Sequence, residues 1–326
     1  MEVIVDKKHT YTTQKSYNVA VVGDVHLMSA NSSPRSRKDN YFLSTMSELD
    51  KIFKANDIIL FLGDVFDTPV LAGRSLYHVF NLLKYYHKLG KKFYTIVGNH
   101  DIYAYNIESL PKTSLGLTFT VGFLKNHKRI MVHDVIFDGM PFKSKAEVVP
   151  RMEHSNTSIL LGHYFYNFNL DPEYSLTDDM IKEMNYDYLL LGHDHKPYPE
   201  QQIGKTRLLR GGSIARNSAD QFNLYRKPCY YQFVIDRSGI SEINYIEIPD
   251  TKFGKEIFID EVFNQNTDYT NDYSSITDVD DILKQFTKKS IVAKYTITDA
   301  LSDLHAPNLN FDYIKDHYRQ HNLLFV

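Results

Sequence analysis

Tryptophan is absent from the 326 residues and cysteine occurs once, at Cys229. A single thiol excludes an internal disulfide and any multi-thiolate zinc or iron–sulfur site, and it fits a reducing, cytoplasmic compartment. Charge of one sign is not in excess either: 37 Lys and Arg against 40 Asp and Glu leave a formal net charge of -3, with a pI of about 6.5. The chain therefore lacks the basic field that binds nucleic acid by electrostatics alone, and any such contact must come from local patches. No apolar run approaches the roughly 20 residues that span a bilayer. The N-terminal Met1-Glu2-Val3-Ile4-Val5-Asp6-Lys7-Lys8 carries no signal-type apolar core, so neither a membrane anchor nor secretion is expected.

What is present is enough for a full core, with 43% hydrophobic and 24% charged residues. Over the first two hundred residues short apolar runs alternate with longer periodic segments, the rhythm of an α/β fold. Val19 to Val22, Ile58 to Leu62, Phe93 to Val97, Ile159 to Leu161 and Tyr188 to Leu191 read as buried strands, each closed by a glycine where the backbone can turn tightly. Tyr41 to Phe53 and Leu76 to Leu89 carry helical apolar stripes, the second stopping at Gly90 as a left-handed cap requires. Val132 to Phe142 reads as a hairpin. Tyr198 to Ile248 is strand-rich with turn signals at Gly204, Gly211-Gly212 and Ser238-Gly239, which suggests a second sheet packed face to face with the first, helices outside. Past Pro249 the pattern changes, so a small C-terminal α+β domain over 250–326 is expected after a main domain over 1–249. It would hold a short helix near Ile282 to Phe286, a strand at Ile291 to Thr298 and an amphipathic helix over Phe311 to Leu324.

The residues that follow the strands carry the chemistry. They read Gly23-Asp24-Val25-His26, Gly63-Asp64-Val65-Phe66-Asp67, Gly98-Asn99-His100-Asp101, Gly162-His163 and Gly192-His193-Asp194-His195. Asp24 and His26, two apart on extended backbone, point the same way roughly 6.5 Å apart, and His193 and His195 repeat the arrangement. Carboxylates, an amide and imidazoles without thiolates suit manganese, iron or zinc in an open catalytic site. In doubly wound sheets such groups meet at the carboxyl ends of strands. Singly, Gly-Asp after a strand is a common turn and a lone histidine is usually a surface or core residue; it is five in order that make a site. The other nine of the 14 histidines have no matching context.

The ordered set resembles the calcineurin-like metallophosphoesterase superfamily, with its pattern D-x-H, G-D-x-x-D, G-N-H-D/E, G-H and G-H-x-H, over about residues 17 to 215. That resemblance implies a four-layer α/β/β/α sandwich of two mixed sheets and a pair of divalent cations, most simply Mn2+, with Mg2+, Fe2+ or Zn2+ as alternatives. It implies that one ion takes Asp24, His26 and His195, the other Asn99, His163 and His193, and that Asp64 bridges them. A metal-bridging hydroxide would attack the phosphate. His100 would steady the transition state and help protonate the leaving oxygen, Asp101 would orient His100, and Asp67 would support a motif side chain from behind.

Within the superfamily, Asp67-Thr68-Pro69 and Asp101 depart from the protein serine/threonine phosphatase pattern. Gly-Asp-Val-Phe-Asp-Thr, Gly-Asn-His-Asp and Gly211-Gly212-Ser213-Ile214 look like the SbcD and Mre-eleven branch in its bacterial or phage form. This implies a DNA exo- or endonuclease for repair and recombination, working with an SMC-like ATPase subunit and able to form a homodimer. About 75 residues after Pro249 leave little room for an ATPase-docking element. Arg35, Arg37 and Lys38 after the first motif, and Lys196, Arg207, Arg210 and Arg216 around the last, could track DNA phosphates. Tyr103, Tyr105, Tyr164 and Tyr166 could stack on unpaired bases. Two other readings stand beside the nuclease: a phosphodiesterase or phosphatase for nucleotides or other small molecules, and a DNA-end-binding scaffold with little activity of its own.

Overall fold

All five glycine-terminated runs lie on buried strands of a mixed α/β architecture with two large sheets. The computed structural model describes residues 2–4, 16–32, 34, 36–143, 145–151, 157–168 and 172–259. In chain order the elements are β1 (Glu2–Ile4), β2 (Tyr17–Val22), α1 (Tyr41–Ala55), β3 (Ile58–Phe61), α2 (Gly73–Lys88), β4 (Lys92–Thr95), α3 (Ser114–Val121) and β5 (Lys125–Asn126). There follow β6 (Arg129–Val132), β7 (Val135–Met140), β8 (Thr157–His163), β9 (Phe165–Tyr166), β10 (Ser175–Leu176), α4 (Asp178–Met184) and β11 (Tyr188–Gly192). The described chain closes with β12 (Tyr198–Ile203), β13 (Thr206–Arg210), α5 (Gln221–Leu224), β14 (Cys229–Asp236), β15 (Gly239–Glu247) and α6 (Gly254–Ile257).

One sheet runs β15-β14-β2-β3-β4-β5 and the other β1-β6-β7-β8-β11-β13-β12. The strand period of two sorts side chains between layers. Val19, Val21, Ile58 and Leu60 face the space between the sheets and pack with Phe137, Ile159, Leu161 and Leu190 of the second sheet. Ala20, Val22, Ile59 and Phe61, one residue out of phase, pack instead under Phe42, Leu49 and Phe53 of α1 and Val79, Phe80 and Leu83 of α2. On the far face of the second sheet, Leu160, Leu189 and Leu208 meet Ile181 and Met184 of α4. Helices outside two facing sheets follow directly. Each such fully buried aliphatic contributes about 1.5–3 kcal/mol relative to exposure.

The helix ends follow local chemistry. α1 starts at Asn40, whose side chain accepts the Leu43 N–H at 3.0 Å, and α2 gives way to Gly90 at φ +85°. The expected hairpin is β6–β7, antiparallel around His133 and Asp134. Beyond Pro249 the described chain stays on the main body. Ile259 N–H donates to the Ser36 carbonyl and Lys38 N–H to that of Ile257, both at 2.8 Å, while Ile257 and Phe258 are buried with Ala219 and Leu224. The elements expected at Ile282 to Phe286, Ile291 to Thr298 and Phe311 to Leu324 lie outside the described residues. Among the described residues no helix is long and apolar enough to cross a membrane.

Candidate metal centre

β2, β3 and β4 are parallel neighbours in one sheet, β8 and β11 in the other. Their carboxyl ends bring all the motif residues to one edge of the sandwich. The first two motifs are stitched together by backbone: Val25 and His26 N–H donate to the Asp64 carbonyl, at 3.0 and 2.9 Å, and Leu27 N–H to that of Val65 at 3.0 Å. The Tyr41 hydroxyl, donating toward the Val25 and His26 carbonyls at 3.2 and 3.1 Å, holds the same loop from below.

Asp24, His26 and His195 form one group of convergent ligand atoms, and Asp64, His163 and His193 a second. His26 Nε2 lies 2.9 Å from His195 Nε2 and 3.5 Å from Asp64 Oδ2. His163 Nε2 lies 3.2 Å from the same Asp64 oxygen and 2.9 Å from Asn99 Oδ1. Asp64 thus stands between the two groups. His26, Asp64 and His193 hold left-handed backbone at φ +45°, +46° and +85°, conformations costly for side chains other than glycine and typical of sites where the fold aims a functional group. Gly98 is required where it is: a Cβ there would overlap the Asp64 carboxylate and backbone nitrogen.

The donor set fits cations. Asp24 Oδ1 accepts the His193 N–H at 2.9 Å, but its buried Oδ2 has no hydrogen-bond partner, an arrangement that is costly unless a positive group faces it. The other oxygen of Asp64, Oδ1, is occupied by the His100 N–H at 2.8 Å. Behind the site, His163 Nδ1–H donates to the Leu62 carbonyl at 2.6 Å, which leaves Nε2 as the nitrogen able to face a cation. Buried His26 Nδ1 makes no hydrogen bond; Asp67 Oδ1 lies 3.3 Å from it, an anionic neighbour rather than a bonded support.

Electrostatics agrees with that placement. Burial raises the Asp64 carboxyl, but His163, His26 and His100 outweigh it and hold the group well below the usual carboxylate range. Burial lowers His163, yet Asp64 and Asp24 push it up to about 9, a proton standing where a cation would compete. Burial and then His163 push His193 down to about 3, keeping it neutral, the form that can bind a cation.

His100 is exposed at the mouth, its Nδ1 2.8 Å from the Asp67 carbonyl oxygen. A carbonyl only accepts, so Nδ1 carries the hydrogen and Nε2 is left for the substrate side. Asp101, expected to orient His100, points elsewhere: it accepts the Phe66 N–H at 3.1 Å and the Gly98 N–H at 3.0 Å. Fully buried, and with Asp64 nearby, its carboxyl is pushed up to about 7.

The sequence model of the calcineurin-like phosphoesterases matches residues 17–197, more than half the chain. The chain belongs to that family. No curated protein matches it significantly. Among solved structures, a dimetal phosphatase from Danio rerio is 10% identical, with 71% of this chain and 99% of that one covered at a TM-score of 0.41. A predicted phosphoesterase from Streptococcus pneumoniae TIGR4 is 16% identical, covering 72% and 99% at 0.30. A cold-active protein-tyrosine phosphatase of a psychrophilic Shewanella is 13% identical, covering 71% and 80% at 0.34.

Most cations proposed for DNA have internal partners in this calcineurin-like phosphoesterase. Arg37 is buried; its guanidinium grips both carboxylate oxygens of Asp39 at 2.7 Å and donates to the Arg216 carbonyl. Arg216 is buried against Glu48 at 3.0 Å. Arg207 pairs with Glu200 at 2.6 Å. Arg210 is buried 3.9 Å from the Tyr198 ring centre and 4.9 Å from that of Tyr166, with a bond to Gln201. Lys38 and Lys196 are exposed, and Arg35 lies outside the described residues. Tyr164 is buried and stacked on Phe142, whereas Tyr103 and Tyr105 are exposed.

Three contributors had no motif signal. The Phe165 ring walls His193 at 4.0 Å between centroids. The Asp67 and Leu62 carbonyls set two imidazoles, and backbone acceptors leave no trace in side-chain identity.

Proposed function

We propose that the protein is a two-metal phosphodiester hydrolase that cuts DNA, an exo- or endonuclease of the SbcD and Mre-eleven kind using manganese. The observation that carries this reading is the space in front of the site. A groove of about 1540 Å³ is lined by Asn99 and His100 together with Asp67, Arg74 and Phe42. Small-ligand sites occupy roughly 300–1,000 Å³, so this one suits a chain-like leaving group.

Asp24, His26 and His195 would hold one ion, Asn99, His163 and His193 the other, and Asp64 would contact both. When bound, the cations supply Lewis acidity to the phosphoryl oxygens. The protein's own contribution is position and a proton. Asp67 fixes the His100 ring through its carbonyl and sets its carboxylate 3.3 Å from His26 Nδ1. His100, held by Nδ1–H, would as the imidazolium give its second proton, on Nε2, to the departing oxygen and be left as the neutral Nδ1–H ring.

Purified protein with manganese and end-labelled single-stranded and duplex DNA tests this. Cleavage that His100→Ala abolishes supports it; no cleavage by the wild type refutes it. The internal pairing of Arg37, Arg207 and Arg216 favours a second reading, a phosphodiesterase for nucleotides or other small molecules. Turnover of bis-p-nitrophenyl phosphate without DNA binding would select that. An SMC-like ATPase partner and a homodimer belong to the nuclease reading, and co-purification from the native host tests them.

A further inference from the structure

The groove beyond His100 is unlike a phosphate track. Among the described residues that line it, Arg74 is the one with a permanent positive charge, and it is exposed. A surface that follows a duplex backbone meets several phosphates with several Lys or Arg. Instead the groove offers rings. Tyr103 and Tyr105, 46% and 53% exposed, stand on its rim three and five residues after His100.

Their placement is enforced. Ala104 and Tyr105 both hold left-handed backbone, at φ +46° and +58°, which side chains other than glycine avoid. Tyr103 N–H is tied to Ser109 Oγ at 2.9 Å. The Tyr105 ring leans on Phe142 and Tyr174, with centroids 5.4 and 6.0 Å away. Phe142 in turn sits 5.9 Å from His193 and 6.2 Å from His163. The rim tyrosine is therefore braced against the same aromatic packing that supports the ligand histidines. Strained backbone that keeps two large rings in water at a catalytic mouth is what a stacking surface needs.

We propose that Arg74, Tyr103 and Tyr105 form the leaving-group subsite. The tyrosine rings stack on the base of the departing nucleotide, and the Arg74 guanidinium meets the next backbone phosphate along the groove. His100 lines the same groove, where its proton would meet the departing oxygen. The subsite rests on the DNA-cleaving reading above. It selects on the leaving side of the scissile bond and needs an unstacked base there.

The test compares two substrates with manganese: a short single-stranded oligonucleotide and bis-p-nitrophenyl phosphate, which lacks both base and second phosphate. Tyr105→Ala and Arg74→Ala, each at an exposed position, should lower kcat/KM on the oligonucleotide about tenfold, chiefly through KM. The loss on bis-p-nitrophenyl phosphate should be several-fold smaller. Arg74→Lys should restore part of the oligonucleotide rate, and Arg74→Ala should flatten its salt dependence. An abasic residue on the leaving side should remove the Tyr105→Ala effect. Equal losses on both substrates, or none on the oligonucleotide, would overturn the subsite while leaving DNA cleavage intact. A wild type that turns over bis-p-nitrophenyl phosphate but never cuts the oligonucleotide would overturn both.

Discussion

The Nε2 atoms of His26 and His195 face each other 2.9 Å apart, though 169 residues separate them in the chain. Two imidazole lone pairs cannot both point into that gap comfortably; one nitrogen must carry a proton, or a cation must sit within reach of both. With the bare Asp24 Oδ2 beside them, the fold has gathered acceptors that lack a shared positive charge.

Metal should therefore stabilise the folded protein. At manganese near 100 times its dissociation constant, one site contributes about 2.7 kcal/mol, so chelation should lower Tm by several degrees and manganese restore it. Thermal melts over a manganese series, beside metal analysis of the dialysed protein, read this out. A Tm indifferent to chelator and metal would contradict the assignment. Asp64→Asn should weaken both sites at once.

The convergence of the motif side chains was legible because it is local: a strand, a turn glycine and a polar residue at a fixed offset are contiguous in sequence, and five such units need only a common sheet edge. The two sheets were legible from apolar runs whose alternate residues, such as Val19 and Ala20, serve opposite cores. The arginines were not. Arg216 meets Glu48 across 168 residues and Arg37 caps that pair through the Arg216 carbonyl, so what reads as a basic cluster is an internal network fixed by tertiary partners. Asp101 misled for a similar reason: adjacency to His100 suggested a partner, but its oxygens reach Phe66, 35 residues away, and Gly98.

That geometry makes Asp101 a clasp between the second and third motifs. Removing its carboxylate strands two buried N–H groups, each costing about 1–3 kcal/mol, so Asp101→Ala should destabilise by on the order of 3 kcal/mol. Urea unfolding measures it. If the variant unfolds at the wild-type midpoint, the clasp has no weight.

His100→Ala should behave oppositely. The side chain is exposed and its one ring bond is to the Asp67 carbonyl, so stability and metal content should barely move while kcat falls about 10²- to 10⁴-fold. Metal analysis and kinetics on the same preparation separate a lost proton donor from a lost ion. A variant that loses metal along with activity would place His100 among the ligands.

Outside the five motifs, His127 supplies a pH dependence of its own. Its ring is buried near Tyr94, at 6.2 Å between centroids. Burial pushes its pKa down to about 4, with Asp138, itself gripped by Arg129, pulling only part of the way back. In the unfolded chain the ordinary value near 6.5 returns. Above pH 6.5 both states are neutral and the group has no effect. As pH falls from 6.5 toward 4 the unfolded state takes up a proton that the folded state refuses, so stability is lost by about 3 kcal/mol across that window. His127→Leu removes the titrating group, and its urea midpoint should fall less steeply between pH 6.5 and 4.5 than that of the wild type. Because the comparison is between slopes, any cavity the substitution leaves does not enter, and parallel profiles would show that the imidazole is protonated in the folded state.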